Sequence, residues 1–166
     1  MPRARRRRAL SLGGGRALVE PVMLDKIPGD LCRMPYPGHP RGCPNYGKRP
    51  SCPPRARMLH EIIRPPIWAV WNDFPIGDHA RRMWRLHPDW TERQAYCCLY
   101  WQGGARAQLK SRLEEMLVEG PSGRMVIRCP EACGVDVTAT MATVCVHLEW
   151  PPRVVARQVA LVGLRR

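Results

Sequence analysis

Apolar residues recur with a helical period in one stretch above all. Over "ARAQLKSRLEEMLVEG" (105–120), Leu109, Leu113, Met116 and Leu117 fall at i, i+4, i+7 and i+8, with Gly120 as a terminator, so a core-facing helix is predicted. A shorter helix is expected from Asp78 as N-cap, with Ala80, Met83, Trp84 and His87 on one stripe and Arg81, Arg82 and Arg85 on the other. Pro88 ends it. Thr91 and Gln94 then stand at capping-box spacing and open a further helix, with Ala95, Cys98, Leu99 and Gln102 in line.

Strand signals alternate with these helices. "PPIWAVWNDF" (65–74) is a Trp- and Val-bearing run bounded by Pro, "RMVIRC" is a short strand ending at Cys129, a strand before Trp150 is stopped by Pro151, and "VVARQVALVGL" reads as a last strand. Residues 135–144 are ambiguous. Their Val and Thr content favours a strand, whereas Asp136 as N-cap and the Ala139/Ala142 spacing favour a helix, which is the reading adopted. The expected fold is a single α/β domain: a small sheet with packed helices, preceded by a long Cys/Pro/Gly-rich loop near the N-terminus. The length of 166 residues suits one such domain.

Residues 24–57 lack any period and carry Pro or Gly every few positions, so they are expected to hold no helix and only short strands. Charge sharpens this division. Residues 1–57 hold thirteen Lys and Arg against three Asp and Glu, while the rest holds fourteen against eleven. Five of the first eight residues are Arg, and residues 1–22 read as a disordered basic arm before a domain at 23–166, with Met23 an alternative start. No apolar run is long enough to span a bilayer and no apolar segment of a secretory signal follows the arginines, which points to a cytoplasmic protein with no membrane partner. The arm has one Ser and no apolar face, which disfavours a mitochondrial transit peptide.

In that compartment eight Cys argue for metal or thiol chemistry rather than disulfides, although several are expected to be small buried hydrophobes. They run as C-x10-C-x8-C at Cys32, Cys43 and Cys52, as the pair Cys97-Cys98, and as C-x3-C-x11-C at Cys129, Cys133 and Cys145. None is the C-x2-C knuckle of common zinc folds. An iron–sulfur cluster, 4Fe-4S by preference, suits the spacing better than zinc. A cluster is wider than one ion and takes ligands from separated loops, and Cys-Pro occurs at Cys43-Pro44, Cys52-Pro53 and Cys129-Pro130, like the Cys-Pro that ends a bacterial ferredoxin run. Zinc stays open as the alternative.

The segments "PYPGHPRGCPNYGKRPSCPP" and "CPEACGVDVTATMATVCVHLEWPP" resemble an uncharacterised group of prokaryotic and phage proteins described as metal-binding, with a C…GCPxYGK…CPP signature. "HPDWTERQAYCCLYWQ" resembles the phage-type members, and the likeness extends over residues 24–162. It implies Cys43 and Cys52 as ligands, with Cys32 in the upstream cysteine position at a longer spacing than the compact form. For the fourth ligand Cys129, closing a strand, is preferred over Cys98, placed on an apolar helix stripe. Cys133 and Cys145 are expected to be core thiols.

Lys48, Arg49, Arg55 and Arg57 would attract phosphates, and Tyr36 and Tyr46 could stack on bases, so nucleic acid is a candidate partner of the basic front third, beside a redox or sulfur-transfer partner. His39 and His87, next to prolines, and Glu131 and Asp136, flanking Cys133, are secondary candidates for ligation or proton transfer, with loop packing and helix capping as the plainer explanations. No phosphate loop, dinucleotide fingerprint, Ser/His/Asp order or carboxylate pair is present, and the sequence names no catalytic residue. The expected function is an iron–sulfur metalloprotein in redox or sulfur-related chemistry acting on nucleic acid or nucleobases. The alternatives are a zinc-stabilised nucleic-acid-binding module and a thiol-rich protein without metal.

Overall fold

The structure is a computed structural model that describes residues 13–24, 29–35 and 39–166. Strands β1 (Gly14–Leu18), β2 (Ile63–Phe74), β3 (Arg124–Ile127) and β4 (Ala156–Arg165) form one antiparallel sheet in the order β1-β2-β4-β3. The long central pair sets the register: Trp68 lies opposite Val162, Val70 opposite Ala160 and Phe74 opposite Ala156. That register shifts between Arg64 and Trp68, where Pro65 and Pro66 supply no N–H to the ladder.

Side chains alternate between the two faces of this sheet and divide the core in two. Val70, Ala160 and Val162 meet Leu109, Leu113 and Met116 of α5 (Gln102–Glu119). The intervening residues Ala69 and Leu161, with Ile127, pack against Val135, Val137 and Met141, the last two from α6 (Val137–Ala142). Asn72, fully buried, ties β2 to α5 and to β4: its Nδ2 donates to the Ala105 carbonyl at 2.9 Å and its Oδ1 accepts from the Gln158 amide at 3.3 Å.

The expected α/β fold is therefore present, with an antiparallel sheet. The helical reading of residues 135–144 also holds, because the Asp136 carboxylate accepts from the Ala139 amide at 2.8 Å and starts α6. Five expectations are corrected. The basic arm does not extend to residue 22: β1 pairs with β2 along its whole length, Gly15 opposite Trp71 and Ala17 opposite Ala69, while residues 1–12 lie outside the described residues. The front loop holds one helical turn, α1 (Asp30–Arg33), ahead of α2 (Leu59–Ile62). The helix opened by the Thr91/Gln94 box, α4 (Glu92–Ala95), stops after one turn, so Cys98 and Leu99 stand exposed on a separate 3-10 turn (Cys98–Tyr100) rather than on an apolar stripe. The segment before Trp150 is not a strand. In α3 (Ile76–Leu86) the N-cap is Pro75, and Asp78 instead pairs with Arg81 in the first turn.

Candidate metal centre

The cysteine loop is built from backbone contacts. Cys32 sits in the single turn of α1, closed by Arg33 N–H donating to Gly29 at 3.2 Å and Met34 N–H donating to Asp30 at 3.2 Å. The Cys43 amide donates to the Cys32 carbonyl at 2.7 Å and fastens the second cysteine to the first. Gly42 makes this approach possible. Its φ is +78°, and a β-carbon there would lie 2.5 Å from the Cys32 carbonyl oxygen and 2.8 Å from the Arg33 backbone.

Beyond Cys43 the chain turns twice and closes on itself. Tyr46 N–H donates to the Cys43 carbonyl at 3.1 Å, Gly47 N–H to the Pro53 carbonyl at 2.9 Å, and Cys52 N–H to the Arg49 carbonyl at 3.0 Å. Pro53, fully buried, packs so close to Gly29 that a β-carbon there would stand 2.7 Å from it. The segments bearing Cys32, Cys43 and Cys52 are thus three sides of one folded loop.

Cys129 approaches from the sheet. It lies two residues past β3 and caps a 3-10 turn (Pro130–Cys133), with its carbonyl accepting from Ala132 at 3.1 Å. A cleft of about 420 Å³ is lined both by Pro50, Ser51 and Arg55 of the loop and by Ile127, Cys129 and Cys133.

The electrostatics show which thiols are neighbours. Burial raises the Cys32 thiol above its ordinary value, and negative charge on Cys43, Cys52, Glu131 and Cys129 raises it further. Burial likewise raises Cys129, followed by Glu131, Cys52 and Cys43, with Arg49 opposing the shift. Cys32 and Cys129, ninety-seven positions apart in sequence, therefore each feel the charge of both Cys43 and Cys52. Cys98 is not among the groups acting on either. Glu131 keeps an exposed edge although its surroundings raise its carboxyl, and it too acts on Cys32, Cys129 and Cys133.

The convergence is not a closed cage: among the described residues no group of three or more His, Cys, Asp or Glu side chains is arranged to hold a metal ion. Cys133 is the buried core thiol expected of it, and burial beside Cys129 and Glu131 pushes it up to about 11. Cys145, also expected in the core, is exposed at φ 58° just past the end of α6.

The basic residues divide in two. Arg55 donates to the Gly47 carbonyl at 2.6 Å and Arg57 to the Glu61 carbonyl, so both brace the loop, while Lys48 and Arg49 are exposed. Tyr46 is exposed beside Gly29, and Tyr36 lies outside the described residues. His39 is exposed, and His87 stacks on Trp90. Sequence reasoning passed over the surroundings of that stack, because Trp84, Trp90 and Tyr100 follow no motif spacing.

No protein-family model, curated protein or solved structure matches this chain. Among the described residues no helix is long and apolar enough to cross a membrane.

Proposed function

We propose that the protein is a cytoplasmic metalloprotein holding an iron–sulfur cluster, 4Fe-4S by preference, on Cys32, Cys43, Cys52 and Cys129, and that it works in redox or sulfur-related chemistry with a redox or sulfur-transfer partner. The single observation that carries this reading is that Cys43 and Cys52 act electrostatically on both Cys32 and Cys129, which come from distant segments. Burial and the neighbouring charges favour the protonated form of the Cys32 and Cys129 thiols, and a positive centre placed among them would displace those protons. Metal binding inverts the repulsion into attraction.

Two features favour a cluster over a single ion. A cluster is wider than one ion and can take its ligands from segments as far apart in sequence as those of Cys32, Cys43 and Cys52 on one hand and Cys129 on the other. The Cys-Pro at Cys43, Cys52 and Cys129 keeps the following residue out of helix interiors and free of an N–H. Membership of the prokaryotic and phage group with the C…GCPxYGK…CPP signature belongs to the same proposal and rests on that motif.

A second reading, a zinc-stabilised nucleic-acid-binding module, is favoured by the exposed Lys48 and Arg49 beside the thiols. Anaerobic purification separates the two. A brown protein with iron and acid-labile sulfide in comparable amounts supports the first, and a colourless one with one zinc per chain supports the second. A metal-free protein whose fold is untouched by chelators and by Cys43→Ala overturns both.

A further inference from the structure

Residues 76–101 carry an aromatic surface that core packing does not explain. α3 and α4 are held together by Ala80, Met83 and Ala95, all buried. Outside this small core, Trp90 is flanked by the His87 ring, stacked at 4.2 Å and 10° between centroids and planes, and by the Tyr100 ring at 5.0 Å and 31°. Tyr100 is 56% exposed, and its neighbours Leu99 and Leu86 are 85% and 63% exposed. An aromatic ladder that ends in an open ring is available for one more ring to join.

Cations stand beside it. The Trp84 indole donates to the Trp90 carbonyl at 3.0 Å, and Trp84 in turn lines an open concavity of about 510 Å³ with Asp78, Arg81 and Arg85. Asp78 is neutralised by Arg81. Arg82 and Arg85 are exposed and stand in no ion pair among the described residues, and Arg82 is near enough to His79 to act on it. Trp84 therefore links the concavity that holds Arg85 to the exposed ring stack through its hydrogen bond to Trp90, with Arg82 exposed on the same helix, in a chain of formal net charge +13.

We infer that this surface binds single-stranded nucleic acid, with a base stacking on Tyr100 at the end of the His87–Trp90–Tyr100 ladder and phosphates meeting Arg82 and Arg85. Sequence-tolerant single-strand binding needs these two elements together: open π-faces for unpaired bases and a cationic track for the backbone. An acidic protein would use the arginines and leave the ladder without a role. The inference is independent of any metal at the cysteines.

The test is fluorescence and equilibrium titration of the full chain with a twelve-residue oligothymidylate, with poly-glutamate as an anion lacking bases. The oligonucleotide is expected to quench tryptophan emission and to bind at least tenfold more tightly than poly-glutamate per chain. Tyr100→Ala should weaken it about tenfold. Arg82→Ala with Arg85→Ala should reduce the slope of log affinity against log salt by about 1.4, as expected for two lost phosphate contacts on a single strand. The pair Lys48→Ala and Arg49→Ala, on the cysteine loop, should leave the Tyr100 dependence in place. Equal binding of poly-glutamate, or affinity and salt slope unchanged in both the Tyr100→Ala and the double-arginine variants while circular dichroism shows them folded, overturns the proposal.

Discussion

The sheet and the cysteine loop are held together by different physics. In the sheet, strands alternate side chains between two packed faces, and the buried residues Val70, Leu113, Met116, Leu161 and Met141 supply the cohesion. In the loop, Gly29 and Gly42 allow backbones to touch, Pro53 is the buried apolar residue between them, and amide hydrogen bonds set the path. Hydrophobic burial stabilises the first region whatever is bound to the protein. The second brings Cys43 and Cys52 near enough to raise the Cys32 and Cys129 thiols, and under the proposed function a bound cation would supply its central stabilising contact. The difference teaches that the sheet carries its own cohesion, and the proposed function makes the loop the part that a metal would stabilise.

Substitutions break this comparison most sharply when they strike one region alone. Leu113→Ala opens a cavity under the sheet and should cost about 2–5 kcal/mol of global stability in urea unfolding, with bound metal retained in the fraction that stays folded. Cys52→Ala should do the reverse, removing most of the metal while the urea midpoint of the sheet shifts little. A large midpoint shift in Cys52→Ala, or metal lost in folded Leu113→Ala, would merge the two regions into one. Gly42→Ala comes next: its β-carbon would strike the Cys32 carbonyl oxygen at a positive φ, a strain of about 1–2 kcal/mol that should appear as weaker metal retention against a chelator. Asp136→Ala, on the sheet side, removes the cap of α6 and should cost about 1 kcal/mol without touching metal content.

The smallest effect is a pH dependence. His79, only 6% exposed on α3 with its Nε2 lacking a partner among the described residues, is held below its ordinary value by burial and then by Arg82. The unfolded chain therefore binds a proton at a pH where the folded one does not. This contribution is fully present above the ordinary His value near 6.5 and is lost as pH falls from there towards the lowered folded value. His79→Phe should flatten that part of the stability profile, and an unchanged profile would show that the ring binds its proton equally well in the folded and unfolded chain.

Legibility in the sequence follows the same division. The helix around Leu109 and Leu113, the strand 65–74 and the last strand were readable because burial imposes a period, and Asp136 decided an ambiguous segment through capping. β1 was hidden because its partner is fifty or more positions away and the sequence "GGRAL" has no strand composition of its own. The short α4 was overread since a capping box marks where a helix begins and says nothing of where it ends. Cys43, Cys52 and Cys32 were named from local motif, and Cys129 from its place after a strand; that Cys43 and Cys52 act on both Cys32 and Cys129 comes from tertiary structure, which spacing cannot give. Cys145 was misplaced because a cysteine in a Val-rich run looks like core until the helix stops before it.

The central claim is that four thiols, and not eight, act as one group. Alkylation of folded protein with a mass-tagged maleimide, before and after anaerobic reconstitution with iron and sulfide, reads this residue by residue. Reconstitution should protect Cys32, Cys43, Cys52 and Cys129 together while Cys98 and Cys145 stay reactive. Labelling of those four that is unchanged by reconstitution, or protection that falls on Cys97 and Cys98 instead, would contradict it.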